Sequence, residues 1–276
     1  MTGHGWLEVA DRVLVLRYPV LDVNVTLIPG DGAALLVDTL STRAQAEELA
    51  AAVATVTSAP LTLVNTHHHF DHCFGNATLA GEPGIWAHFL CREQLLDHAE
   101  AVRRAAAKDC PELATELAEV EVHPPDHAVH EGADLDIGGR RVLLRHTGRG
   151  HTSNDLTVLI PDAGVTVTGD LVEVGAPPDF GDAWPLEWAP TLAELLVLSE
   201  AEGADSVFVP GHGAVTGAYY VRAQHTDLAR LEWLCREGHA DSATIDEVAG
   251  QSPFGLAASR TAVKRAYADL NGTLYA

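Results

Sequence analysis

The chain has 276 residues, 47% of them hydrophobic, which is enough to bury a sizeable core and favours one large domain over two small ones. Its formal charge of −22, from 39 acidic against 17 basic residues, offers phosphate backbones and anionic headgroups no broad electropositive surface. Nucleic-acid and membrane partners are therefore not expected.

In chain order, Arg12 to Leu16, Val23 to Ile28 and Ala33 to Val37 read as short strands, separated by turn material such as Pro29-Gly30-Asp31-Gly32. Thr42 to Val53 is rich in alanine and glutamate, with Ser41 or Thr42 placed to cap it, and predicts a helix. A strand at Leu61 to Asn65 follows. The stretch from about His88 to Val120 has helical composition, and Arg141 to Arg145, Leu156 to Ile160 and Val165 to Thr168 then return to short β-like runs. A helix over Leu192 to Glu202 leads into an apolar strand at Ser206 to Val209, and helices over about Ala218 to Arg236 and Ala257 to Leu270 close the chain. Two successions of strands and then helices suggest an α/β fold of two sheets packed face to face, a pattern that other α/β layouts share.

The N-terminal MTGHGWLEVADRV lacks the basic stretch, apolar core and cleavage site of a secretory signal. No apolar run approaches the roughly 20 residues that span a bilayer. Cys73, Cys91, Cys110 and Cys235 stand without paired spacing, which suits free thiols in a reducing compartment. These features predict a cytoplasmic protein.

The densest chemical signal is Thr66-His67-His68-His69-Phe70-Asp71-His72, immediately after the predicted strand at Leu61 to Asn65. Imidazole and carboxylate are good donors to zinc and similar dications, and a loop lets alternate side chains converge where a strand would splay them to opposite faces. One strand end could thus feed two metals; the alternative is a histidine-rich surface loop. His68 and Phe70 are the spacers, with His68 facing outward or supporting a ligand from behind. Three more donors follow apolar strands: His151 in Gly150-His151-Thr152, Asp170 in Gly169-Asp170, and His212 in Pro210-Gly211-His212-Gly213. Asp38 and Asp155 are candidates to fix the tautomer of a ligand histidine, with turn capping as the equal alternative. The remaining histidines, among them His88, His98, His123, His127, His130, His146, His225 and His239, have no matching neighbours and read as surface or structural residues.

The run His67-x-His69-x-Asp71-His72 resembles the signature of the metallo-β-lactamase superfamily, and His151, Asp170 and His212 are similar in order, spacing and setting to that family's remaining ligand positions. The resemblance covers about Val13 to Gly213. It implies an αββα sandwich of two mixed β-sheets with helices on the outer faces, and a two-metal site. On that model His67, His69 and His151 would bind one metal, Asp71, His72 and His212 the second, and Asp170 would bridge them, with Asp71 also counted as catalytic. Because Asp170 takes the bridging place, Cys73 reads as a packed thiol. Asp38 falls where the family often has aspartate. Residues 218–276 carry no motif and read as a C-terminal helical extension packed on a single domain of residues 1–276. The spacing of Leu228, Leu231 and Leu234 marks a buried helical face, and the segment could pack over the sandwich, shape the pocket or form a homodimer contact.

Neutral histidines leave most of a dication's charge available, and two carboxylates offset it only in part. A water held between two such metals ionises near neutral pH and could attack a carbonyl carbon while a metal polarises its oxygen. This predicts a hydrolase of a small ester, thioester, lactone or lactam, using two divalent metal ions: zinc first, with iron or manganese as alternatives. Fold and metal motif do not select among substrates. Two other classes stay open: a mononuclear iron sulfur dioxygenase with His67, His151 and Asp170 as its triad, and a catalytically idle metal-binding protein. Trp184 and Trp188, within Glu173 to Pro190, read either as a pocket wall or as anchors to the core, and Tyr219 and Tyr220 pose the same choice.

Overall fold

The computed structural model describes residues 5–274. The first half contains β1 (Leu7–Ala10), β2 (Val13–Tyr18), β3 (Val23–Pro29), β4 (Ala34–Val37), α1 (Arg43–Ala54) and β5 (Leu61–Val64). It continues through α2 (Phe70–Cys73), α3 (Asn76–Leu79), β6 (Ile85–His88), α4 (Phe89–Asp97), α5 (Ala99–Asp109), α6 (Ala114–Ala118) and β7 (His127–Val129). The second half contains β8 (Gly132–Ile137), β9 (Arg140–Arg145), β10 (Thr157–Ile160), β11 (Val165–Glu173), α7 (Trp188–Ala201) and β12 (Val207–His212). Helices α8 (Ala218–Ala240), α9 (Ile245–Ala249) and α10 (Leu256–Leu270) follow.

Strands β1 to β7 lie side by side in chain order, antiparallel up to β4 and parallel from β4 to β7. The second half runs β12-β11-β10-β9-β8, with β11 and β12 parallel. A single antiparallel bridge, His212 to Val23, joins β12 to β3 and makes the two halves one mixed sheet.

Period-two alternation then sets the layers. Val13, Val15, Leu35 and Val37 from the first half share a core with Val142, Leu144, Val158, Ile160 and Val167 from the second, so these faces pack against each other. The intervening residues point outward: Leu27, Leu36 and Leu63 meet Leu49 and Val53 of α1, while Leu143 and Leu159 meet Ala204 and Leu198. Full burial of each such side chain contributes roughly 1.5–3 kcal/mol. The result is two β layers between two helical layers. On the second half, α7, α8 and α10 share one core through Leu192, Leu195, Leu228, Leu231, Val263 and Ala266.

Three differences from the sequence reading have local causes. Helix α7 starts at Trp188 rather than Leu192, because Pro190 falls in the first turn, where a missing N–H costs nothing. Strand β11 passes through Gly169-Asp170 and ends at Glu173, its register shifting at Gly169 and its whole length buried. Strands β1, β6, β7 and β8 escape pattern reading because they are short, or polar and half exposed, as Gly132-Ala133-Asp134-Leu135-Asp136-Ile137 is. Among the described residues no helix is long and apolar enough to cross a membrane.

Candidate metal centre

The carboxyl ends of β5, β11 and β12 and the loop between β9 and β10 open at one end of the sandwich, the usual place for a site on parallel strands. The β5 end supplies His67 and His69, and the one-turn helix α2 supplies Asp71 and His72. The β9–β10 loop brings His151. Asp170 projects from inside β11 just past the register shift, and His212 is the last residue of β12. Close approach requires small residues here. A Cβ on Gly211 would lie 1.7 Å from Asp170 Oδ1, and Gly169 holds a left-handed φ of +52° with Thr66 against it.

All seven side chains converge. Donor atoms of His67, His69, His151 and Asp170 lie within 4.8 Å of one another, as do those of Asp71, His72 and His212. Asp170 stands between the two groups: its Oδ2 is 3.4 Å from His151 Nε2 and 3.2 Å from His212 Nε2, and its Oδ1 is 3.3 Å from His72 Nε2. Asp71 Oδ2 is 3.3 Å from His212 Nε2.

Partners behind the rings fix which nitrogen faces inward. Asp38 Oδ2 accepts from His72 Nδ1 at 2.8 Å, and the carbonyl of Leu21 accepts from His212 Nδ1 at 2.7 Å, so both rings turn a lone pair on Nε2 toward the centre. Thr66 Oγ1 donates to Asp38 Oδ2, which leaves its oxygen to accept from His67 Nδ1 at 3.0 Å. His67 Nε2 therefore faces the centre as an acceptor, and it is buried with no hydrogen-bond partner. Asp170 Oδ1 likewise lacks an aligned hydrogen bond. His69 Nδ1 and His151 Nε2 face each other at 2.9 Å, and His72 Nε2 and His212 Nε2 at 3.3 Å. Imidazole nitrogens this close either share a proton or, with both lone pairs turned inward, call for a cation between them.

The electrostatics agree. Burial alone would push the imidazoles of His72 and His212 down, but Asp170 and Asp71 outweigh it and raise both. Burial and the nearby His72 hold His67 well below its ordinary range, in the neutral form that donates to a metal. A divalent cation in either group would supply the charge the carboxylates call for and satisfy the idle lone pairs, so the residues fit metal ions.

A metallo-β-lactamase superfamily model matches residues 18–217. The chain belongs to the metallo-β-lactamase superfamily. A type 2 metallo-β-lactamase from Bacillus cereus is 27% identical over 157 residues, covering 55% of this chain. That match takes in only 52%, about half, of the relative's own length. Among solved structures, the DIM-1 metallo-β-lactamase superposes with a TM-score of 0.61 at 16% identity, over 80% of this chain and 94% of its own. The stereoselective inverting sec-alkylsulfatase Pisa1 from Pseudomonas sp. gives a TM-score of 0.69 at 16% identity, over 96% of this chain and 50% of its own.

In this superfamily member the supporting residues divide into those that were legible and those that were not. Asp38 sits behind His72 with a left-handed φ of +66° and accepts from the Thr66 N–H and hydroxyl as well. Asp155 instead closes the His151-Thr152 turn, accepting from the Thr152 N–H and hydroxyl at 2.9 and 2.7 Å. Cys73 is packed, its thiol pushed far up by burial and turned to the carbonyls of His68 and His69. His68 bonds Asn154 through Nδ1, tying the β5 end to the β9–β10 loop. Sequence reasoning missed Asp182, whose carboxylate lies 3.2 Å from His69 Nε2 and 3.5 Å from His68 Nε2. It also missed Glu173, 7% exposed and 3.9 Å from His151 Nδ1, with burial and Asp170 pushing its carboxyl up to about 7. Neither lies in a motif: the continuation of β11 past Asp170 brings Glu173 here, and the loop after β11 brings Asp182.

Above the seven residues opens a cleft of about 1190 Å³. Its lining includes the apolar Ala101, Val102, Ala105 and Ala106 of α5, and Asp179 and Asp182 of the loop after β11. Trp184 and Trp188 do not line it. Trp188 is fully buried and donates from Nε1 to the Leu171 carbonyl, and Trp184 is covered by the Arg149 guanidinium at 3.6 Å. Tyr220 donates to the Glu173 carbonyl, and Tyr219 is exposed.

Proposed function

We propose that this protein is a cytoplasmic dinuclear metal-dependent hydrolase of a small ester, thioester, lactone or lactam. The observation that carries this reading is the convergence of seven donor side chains at the floor of an open cleft, with His67 Nε2 and Asp170 Oδ1 buried there without a hydrogen-bond partner. His67, His69 and His151 would hold one cation, Asp71, His72 and His212 the other, and Asp170 would touch both. Zinc is the first choice for these donors, with iron or manganese next. When bound, such cations supply a water that ionises near neutral pH and a Lewis acid for the substrate oxygen.

The chain's own residues do the rest. Asp38, Leu21 and Thr66 hold three imidazoles in the tautomers that present lone pairs inward. Asp71, on the cleft floor, would orient the attacking water, while the alanine and valine face of α5 would seat the apolar part of a substrate. Charge narrows the substrate. Besides Asp71 and Asp170, the cleft is lined by Asp22, Asp109, Glu173, Asp179 and Asp182, and its one guanidinium, Arg17, is held by Asp22 at 2.6 Å. A sulfate ester, of the kind named for the alkylsulfatase neighbour, would enter against that field. A neutral or cationic carbonyl compound would not. The four cysteines are free and buried, in keeping with a reducing compartment.

The test is elemental analysis of protein purified without added metal, beside Asp170→Ala and His212→Ala, followed by a panel of carbonyl substrates. About two zinc, iron or manganese ions per chain, falling in both variants, with turnover of a neutral ester, thioester, lactone or lactam, is the expected result. One iron per chain that His212→Ala leaves in place, with oxygen consumption, would overturn it in favour of sulfur dioxygenation. A fully loaded protein that turns over nothing would leave only a metal-binding role.

A further inference from the structure

Asp182 stands behind His69, yet nothing in its own strand or helix holds it: it lies in the 174–187 loop, and its side chain is 42% exposed. What fixes that loop comes from the far end of the chain. Arg265, on α10, sends its guanidinium to three successive carbonyls, Nη1 to Gly181 at 3.2 Å, Nη2 to Asp182 at 2.7 Å and Nε to Ala183 at 2.5 Å. All five donors of a guanidinium lie in one plane, so three bonds set the direction of the strand of carbonyls they meet. One residue later the same segment is tied to the β9–β10 loop, the Trp184 N–H donating to the Gly150 carbonyl at 2.8 Å beside His151.

From this we infer that Arg265 is a positioning residue for the candidate metal centre, with the C-terminal helix setting His69 through the 181–183 backbone and Asp182. The inference rests on the metal reading of the site. Arg265 fixes the Asp182 main chain, Asp182 pairs with His69 Nε2, and His69 thereby presents Nδ1 toward His151 Nε2 and Asp170. Arg265 spends its charge on carbonyls rather than on a carboxylate, although burial works against that charge. It also lies beyond the family-matched residues, so the centre draws on a segment that carries no motif. Anchorage of α10 itself is a separate matter, supplied by Ala262, Val263 and Ala266 in the core shared with α7 and α8.

The experiment is a cobalt(II) titration of the full-length metal-free chain against a chromophoric chelator, reading affinity and the visible d–d absorption together. Asp182→Asn is expected to weaken cobalt binding about 10–100-fold, the usual cost of losing a partner behind a metal-bound histidine. Arg265→Gln is expected to weaken it about tenfold and alter the d–d bands, with Arg265→Lys in between. In the double variant Arg265→Gln/Asp182→Asn the loss should be little larger than for Asp182→Asn alone, because both act through one contact. If Arg265→Gln fails to fold, Arg265→Lys carries the test by the same criteria, since a lysine cannot reach three carbonyls at once. Unchanged affinity and spectrum in the Arg265 variants, or additive losses in the double variant, would overturn the inference even where thermal stability falls. Wild-type protein that takes up no cobalt would overturn the metal reading and this inference with it; wild-type uptake beside an indifferent Arg265 overturns this inference alone.

Discussion

The two ligand groups share Asp170 but are supported in different ways. Behind Asp71, His72 and His212 the supports are buried or main-chain: Asp38, 2% exposed, accepts from His72 and twice from Thr66, and the Leu21 carbonyl takes His212 Nδ1. The backbone carbonyl of His72 is itself held by the Thr39 N–H and by Asn65 Nδ2. Behind His69, by contrast, stands Asp182 on a loop, 42% exposed at its side chain. The difference teaches that the His72 and His212 side of the candidate centre is built into the folding core, whereas His69 on the other side is completed by a segment that folds over it. A buried carboxylate with three donors costs several kcal/mol to disturb, whereas a half-exposed pair is worth about 1 kcal/mol or less.

The largest expected effect is that of Asp38→Ala. It leaves the Thr66 N–H and hydroxyl and His72 Nδ1 without their acceptor, and should lower stability by about 3–5 kcal/mol in urea unfolding of chelator-treated protein. Asp182→Asn under the same conditions should cost under about 1 kcal/mol. Equal losses in the two variants would erase the distinction. Next comes metal-linked stability: zinc at 100 times its Kd should add about 2.7 kcal/mol and raise the Tm by roughly 5–10 °C for a chain of this size. Asp38→Ala should abolish more of that gain than Asp182→Asn does.

Gly211→Ala probes what the groups share. Its new Cβ would fall 1.7 Å from Asp170 Oδ1, so the carboxylate must move and zinc affinity should drop about tenfold or more at both positions together. Loss at one position only would show that Asp170 serves one group. The smallest effect is expected for Arg17→Ala, which removes the ion pair to Asp22 beside Leu21. Both side chains are about half exposed, and the change should stay within about 0.5 kcal/mol in the same unfolding assay.

Much of this was legible in the sequence because it is local. The strands that form the central core alternate cleanly, and His67 to His72 lie within one β5 end and one helical turn. What was not legible depends on the chain returning from a distance. Asp38 could be named as a candidate supporter because it ends the predicted Ala33 to Val37 strand at a position where the family often has aspartate, but Asp182 and Arg265 meet only after α7 and α8 have brought α10 back over the loop. Glu173 was hidden by the reading of Gly169-Asp170 as a strand end, when a register shift lets β11 run on. Pro190 and the short strands misled for ordinary reasons of phase and length.

The bridge between His212 and Val23 has a further consequence. It is the one backbone pairing between β12 and β3, backed by Asn24 Nδ2 donating to the Pro210 carbonyl, so the two halves of the sandwich touch edge to edge beside a residue of the candidate centre. The first half contributes His67, His69, Asp71 and His72, and the second His151, Asp170 and His212. A bound cation in either group would thus be a cross-link between half-molecules, closing a long loop of chain as a disulfide does. Splaying the halves and releasing such a cation would then be one event, and hydrogen exchange along the β3–β12 seam is expected to slow on adding metal.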